Sequence, residues 1–218
     1  MRVAELWRYP VKGLRGERLE RVEVAAGGIP GDRSLRVVDE RGIVTGRRKQ
    51  RMVGLPATLD SGGEPLIDGR PWASPEAAEL IRGVAGASAS LSRPAGGHEY
   101  DAAPILLVSD GSIAQLGYDH RRFRPSILVE GATGPVEQDW VGGNVRIGEL
   151  VLRVEEPCER CVITTIDPDT IDVDLDVLKR TRAELGGVMG VYCSVVQPGT
   201  VEVGDPVAAG AESAGVGA

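Results

Sequence analysis

The sequence predicts an α+β protein rich in β-structure, barrel-like, with a few short helices. Most of its periodic segments alternate apolar and polar residues and end in turn residues, while only three short stretches carry a helical pattern. The hydrophobic fraction of 42% is ordinary for a globular chain, but aromatics make up only 4%, so Val, Leu, Ile and Ala must fill the core.

Residues 1–9 alternate Val3, Glu5, Trp7 and Tyr9 with Ala4, Leu6 and Arg8, the pattern of a half-buried strand. Residues 21–24 read as a second strand, stopped by Gly27-Gly28. Residues 35–38 read as a third, which Asp39-Glu40-Arg41-Gly42 turns towards Ile43-Val44-Thr45. Turns are expected at 60–63 and 68–71. A helix is expected over 75–84, with Ser74 as N-cap and Pro75 at the first helical position. Residues 83–104, rich in Gly, Ala and Ser, read as the joint between two halves. The expected division is therefore 1–92 and 93–207, with a small, polar and disordered tail at 208–218. In the second half, 105–108 is a buried strand, 112–118 a helix capped by Asp110, and 126–129 a strand. Residues 145–154 form a hairpin about Gly148-Glu149, and 162–166 a further strand. A helix over 176–185 is capped by Asp176 and stopped by Gly186-Gly187. Strands at 191–196 and 201–203 finish the sheet.

The net charge of −7 argues against nucleic acid as a partner, because binding a phosphate backbone needs a basic surface. A small anionic ligand needs only a few local cations. No apolar run is long enough to span a membrane, and Arg2, Glu5 and Arg8 make the first residues unlike a signal peptide. The three cysteines, Cys158, Cys161 and Cys193, do not suggest a secreted disulfide framework, so a cytoplasmic protein with reduced thiols is expected.

Two sets of residues could carry chemistry. The first is Pro157-Cys158-Glu159-Arg160-Cys161. A closed zinc site needs two more ligands, which Cys193, His98 and His120 do not offer at suitable spacing. A redox pair expects a strand running into a helix, whereas Val-Ile-Thr-Thr-Ile follows here and favours β-structure. A single reactive thiolate, favoured by Arg160 beside Cys161, remains open, as does a pair of buried structural cysteines. The second set is a group of cations among turn residues: Lys12-Gly13, Arg33, Arg47 and Arg124. They suit a phosphate or a planar ring, although solvated surface charge explains each of them singly. The acidic stretch 167–176 is no calcium loop, since the sixth and twelfth positions counted from Asp167 are Asp172 and Leu178.

These segments fall together in one known order. Tyr-Pro-Val-Lys-Gly lies at 9–13, Gly-Asp-Arg at 31–33, Thr-Gly-Arg at 45–47, Leu-Val-Ser-Asp at 107–110 and Phe-Arg-Pro-Ser-Ile at 123–127. Cys-Glu-Arg-Cys-Val-Ile-Thr-Thr-Ile-Asp-Pro-Asp-Thr follows at 158–170, and Pro-Gly-Thr-Val-Glu-Val-Gly-Asp-Pro-Val closes the series at 198–207. In this the chain resembles the MOSC family, within it the branch with an added N-terminal MOSC β-barrel domain. The resemblance implies an N-terminal barrel over 1–92, a MOSC domain over 93–207, and a molybdenum cofactor (Mo-molybdopterin) between them. It assigns the metal-binding, catalytic thiolate to Cys161. It assigns cofactor contacts to Lys12, Gly13, Arg33, Arg47, Ser109, Asp110 and Arg124, with Ser126 where the family often has Asn. Gly13 stands where the family often has Ser, and offers only its backbone. Cys158 is expected to be structural or to support the site, and Cys193 to lie in the core.

The resemblance further implies an oxidoreductase acting on a small N-hydroxylated substrate. The sequence has no cysteine array for an iron–sulfur cluster, so electrons would come from a separate ferredoxin, flavin reductase or cytochrome. The alternative is a sulfur or cofactor carrier, with Cys161 bearing a persulfide or holding the cofactor.

Overall fold

The structure, a computed structural model, describes residues 1–210. Its main sheet has eight strands. In spatial order they are β16 (Val207–Gly210), β12 (Asn144–Ile147), β13 (Leu150–Glu159), β14 (Val188–Gln197), β10 (Ile105–Ser109), β11 (Ile127–Glu130), β1 (Arg2–Arg8) and β2 (Glu17–Leu19). Only β10 and β11 run parallel. A parallel pair needs a crossover, and helix α2 (Asp110–Leu116) with the 3₁₀ turn His120–Phe123 supplies it. A separate ribbon pairs β3 (Arg21–Val24) with β15 (Gly199–Glu202).

The eight-stranded sheet curls until the start of β1 bonds the segment that leads into β16. Val207 N donates to Met1 O, Val3 N to Asp205 O, and Gly204 N to Val3 O. Strands from the first 24 residues are thus bonded to strands built from residues 105–210. Side chains alternate across β10: Ile105 and Leu107 join a core with Val3, Leu6, Val145 and Cys193, while Leu106 and Val108 pack on the other face. That second face is covered by α2 and by α3 (Asp176–Leu185), through Leu116, Val177 and Leu185.

A third core is built from Val11, Leu35, Val37, Val44, Met52, Ile67 and Ile81. It lies among β4 (Arg36–Asp39), β5 (Gly42–Val44) and β9 (Ser90–Ser92), the three-stranded β6 (Ala57–Leu59), β7 (Pro65–Ile67) and β8 (Arg70–Pro71), and helix α1 (Pro75–Ala85). The Oγ of Ser74 caps α1, accepting from Ala77 N at 3.1 Å.

The β-rich α+β architecture agrees with the sequence reading, but several local expectations are corrected. In β1 the strict alternation breaks: a bulge between Val3 and Glu5 buries Val3 and Leu6 instead. Strand β9 lies inside the stretch read as a joint and pairs with β4. Helix α2 is capped by Ser109, which accepts from Ser112 N at 3.2 Å, and not by Asp110. Asp176 opens α3 but does not cap it. The expected strand over 162–166 is a 3₁₀ turn, Val162–Thr165. There the Oγ1 of Thr165 donates to Val162 O at 2.7 Å and that of Thr164 to Cys161 O at 2.9 Å, local bonds that compete with a sheet ladder. Of the expected disordered tail, Ala208 to Gly210 belong to β16, paired with β12, and 211–218 lie outside the described residues.

Candidate functional site

Between the α1-containing core and the curled sheet lies a cleft of about 390 Å³. Its floor begins at the end of β1. The segment after β1 is pinned to the start of β4 by a Val11–Leu35 bridge and by Lys12 N donating to Leu35 O at 2.8 Å. Gly13 follows at φ +85°, where an added Cβ would sit 3.3 Å from Thr45 Cα. A glycine is therefore the residue that lets the 12–13 turn and the Thr45 segment approach. The Lys12 ammonium reaches Asp101 Oδ1 at 2.7 Å, Glu99 O at 3.2 Å and Tyr100 O at 3.4 Å.

The next wall is built on Tyr9, whose hydroxyl donates to Pro125 O at 3.1 Å. Burial pushes its pKa up to about 12. Two guanidinium groups lie over its ring, Arg33 at 4.7 Å and Arg124 at 4.2 Å from the centroid. Asp32, buried, ion-pairs with Arg33 and accepts from Tyr9 N at 2.7 Å. Burial lifts the Asp32 carboxyl above its ordinary range in spite of these two donors. Arg124 forms no ion pair among the described residues. Burial, with Arg33 next to it, holds its guanidinium down to about 10. Arg33 and Arg124 both occupy left-handed backbone, φ +47° and +56°, a conformation that costs a non-glycine residue energy and collects at ligand clamps.

Opposite these cations stands Cys161, half-buried, at the start of the Val162–Thr165 turn. It lines the cleft together with Arg47, whose guanidinium the nearby sulfur raises. The sequence had suggested Arg160 for that place. Arg160 instead donates to Cys158 Sγ at 2.7 Å and to Phe123 O at 2.5 Å. The reason is the period of two: Cys158 and Arg160 share one face of the chain leaving β13, and Cys161 takes the other. Cys158 is almost fully buried yet borders the cleft, beside Tyr192. Burial and the Cys158 sulfur raise the Tyr192 hydroxyl, so it keeps its proton. Cys193 lies in the barrel core, its thiol pushed up to about 12 by burial.

Lys12, Gly13, Arg33, Arg47, Arg124 and Cys161 are thus brought to one cleft. Ser109, Asp110 and Ser126 are not, because their polar atoms are used inside the fold. Ser109 bonds Glu137 and caps α2. Asp110 accepts from Gly131 N and Ala132 N at 2.8 and 2.9 Å. The Oγ of Ser126 accepts from Leu106 N at 3.3 Å in a fully buried position. Conversely, Asp101, Arg122, Arg160 and Tyr192 line the cleft without having been singled out as ligand contacts. Only Arg160 carried a usable signal, its place between two cysteines.

The family model described as the MOSC domain matches residues 95–208, and that described as the MOSC N-terminal beta barrel domain matches 1–69. The chain belongs to the MOSC family. Among MOSC proteins similar to it are mitochondrial amidoxime reducing component 2 of Macaca fascicularis and mitochondrial amidoxime-reducing component 1 of Homo sapiens. Each is 27% identical over 94% of this chain and 82% of its own length. The solved structure of the YuaD protein from Bacillus subtilis covers 94% of this chain and 93% of its own at a TM-score of 0.51 and 14% identity, a likeness of fold alone. No helix among the described residues is long and apolar enough to cross a membrane.

Proposed function

We propose that this MOSC protein is a molybdenum-cofactor-binding oxidoreductase that reduces N-hydroxylated compounds, such as amidoximes or hydroxylamines, with electrons from a separate donor protein. The observation that carries the reading is one half-exposed thiol, Cys161, in a cleft that also gathers Lys12, Arg33, Arg47 and Arg124. A thiolate is a soft ligand suited to a transition metal, and arginine forks suit the phosphate and planar rings of a pterin. The donor set fits such a group: among the described residues Arg124 has no ion pair, and the buried Nε of Arg160 has no partner. The names of the relatives support the substrate class.

In this reading Cys161 is the protein ligand to the metal. Lys12, Arg33 and Arg124 bind the anionic and planar parts of the cofactor, with the Gly13 backbone beside them, and Arg47 orients the sulfur. When bound, the cofactor supplies two-electron chemistry, so that R–NH–OH with two electrons and two protons yields R–NH₂ and water. The Tyr192 hydroxyl, held protonated at the cleft, can donate a hydrogen bond to the oxygen that leaves as water. A ferredoxin, flavin reductase or cytochrome supplies the electrons.

Metal analysis of the native protein beside Cys161→Ala tests the ligand, with molybdenum expected in the first and about tenfold less or none in the second. A reductase assay with loaded protein and a chosen donor tests the activity. No turnover of any N-hydroxylated substrate by a fully loaded sample defeats the reductase reading. A stable sulfur adduct on Cys161 without retained molybdenum would favour a carrier.

A further inference from the structure

The cleft carries its own anion. Lys12 is rooted, its side chain only 16% exposed, whereas the Asp101 carboxylate bonded to it is 64% exposed. Three acceptors, Asp101 Oδ1, Glu99 O and Tyr100 O, use up the three donors of the ammonium. All three come from one strap, residues 94–104, which links β9 to β10 and lines the cleft. The strap is anchored just before Asp101. Glu99 ion-pairs with Arg36 at 2.6 Å and donates its N–H to Arg33 O at 3.0 Å, and the Tyr100 hydroxyl donates to Gly27 O at 3.0 Å. Beyond these anchors Asp101 and Ala102 are exposed. A rotation of the Asp101 side chain would therefore free one donor of Lys12 without unfastening the strap.

We propose that Asp101 is the resident occupant of an anion subsite on Lys12, displaced when a phosphate-bearing ligand enters the cleft. The proposal rests on the reading above that the cleft receives a phosphorylated group, and it adds a selectivity rule. A ligand gains Lys12 only if its charge outcompetes a carboxylate already in place. A dianionic phosphate does so and a monocarboxylate does not. Asp101 also offsets one of the cleft cations, Lys12, whereas Arg124 has no ion pair among the described residues.

The test is calorimetric titration of the full chain with inorganic pyrophosphate. Asp101→Asn is expected to bind about five- to tenfold more tightly than the native protein, the size expected when one exposed carboxylate stops competing for a largely buried ammonium. Lys12→Met should bind more weakly, and adding Asp101→Asn to it should gain nothing. Glu23→Gln, which removes the same charge from an exposed position on β3, should leave affinity unchanged. Three results would overturn the proposal: no gain in Asp101→Asn, a gain that survives in the Lys12→Met background, or an equal gain from Glu23→Gln. The readout is heat from pyrophosphate, so it stands apart from whether the protein carries molybdenum or reduces a substrate.

Discussion

Arg33 and Arg124 crowd the same aromatic ring, their guanidinium carbons 4.7 and 4.2 Å from the centre of Tyr9, and both do so from left-handed backbone. Two like charges in strained conformations oppose folding, each strained residue by about 1–3 kcal/mol. Their difference is the partner: Arg33 is neutralised by buried Asp32, and Arg124 by nothing in the described chain.

That asymmetry predicts unequal costs. Arg33→Ala leaves the Asp32 carboxylate buried and unpaired, and should destabilise the protein by about 3 kcal/mol or more. Arg124→Ala removes a desolvated, unpaired charge and should cost about 1 kcal/mol or less, while weakening pyrophosphate binding about tenfold. Urea melts of the two variants check this, and equal losses of stability would contradict it.

The three thiols should differ sharply in reactivity. Cys161 is half-buried at the cleft, whereas Cys158 is 2% and Cys193 0% exposed. Brief treatment of the folded, metal-free protein with iodoacetamide at pH 8 should therefore add one label, on Cys161. Unfolded protein should take one label on each cysteine. Rapid labelling of Cys193 in the folded state would contradict its place in the core, where burial holds the thiol near 12.

Much of this architecture could be read from the residues alone, and the failures have identifiable causes. Helix α1 was legible because Ser74 and Pro75 act locally, at its first turn. The 3₁₀ turn after Cys161 was not: Val-Ile-Thr-Thr-Ile has strand-like propensity, but two threonine hydroxyls bond backwards to the chain and close a turn. Cleft cations could be named from turn context, yet their partners could not. The contacts Lys12–Asp101 and Arg122–Asp167 span 89 and 45 positions. Ser109 and Asp110 show the converse ambiguity: polar residues at a strand end resemble ligand contacts, while here Glu137 and the Gly131 segment bond them.

Acid sensitivity should reside in the loop before α3. Asp167 accepts from Asp169 N at 2.9 Å and Thr170 N at 3.0 Å and pairs with Arg122 at 2.8 Å. Those amides hold its carboxyl below the ordinary 3.8. A depressed carboxyl stabilises the fold above the unfolded value and loses that contribution as pH falls through the folded value. Asp167→Asn should therefore be less stable by about 1 kcal/mol at pH 7. The gap should close as pH falls through the value below 3.8 set by those amides. A gap that widens on acidification would contradict the sign.

Gly111, in the first turn of α2, is fixed by close approach. An added Cβ would meet Gly134 O at 2.2 Å and Gly134 N at 2.7 Å, both backbone atoms. Gly111→Ala should destabilise by about 2–3 kcal/mol, a typical cost of overpacking. A loss under about 0.5 kcal/mol, the range of neutral surface changes, would show that the two segments can part freely.

The sealing of the barrel, where Val207 bonds to Met1 and Gly204 to Val3, has a consequence for biosynthesis. In a chain emerging from the ribosome, β2 can pair with residues 6–8 of β1 early, but Met1 and Val3 wait for residues 204–207, so this closure is a late, long-range event. The cleft inherits that timing, since its walls run from Lys12 to Tyr192. Loading of a ligand into this protein is accordingly expected to follow translation and not to accompany it.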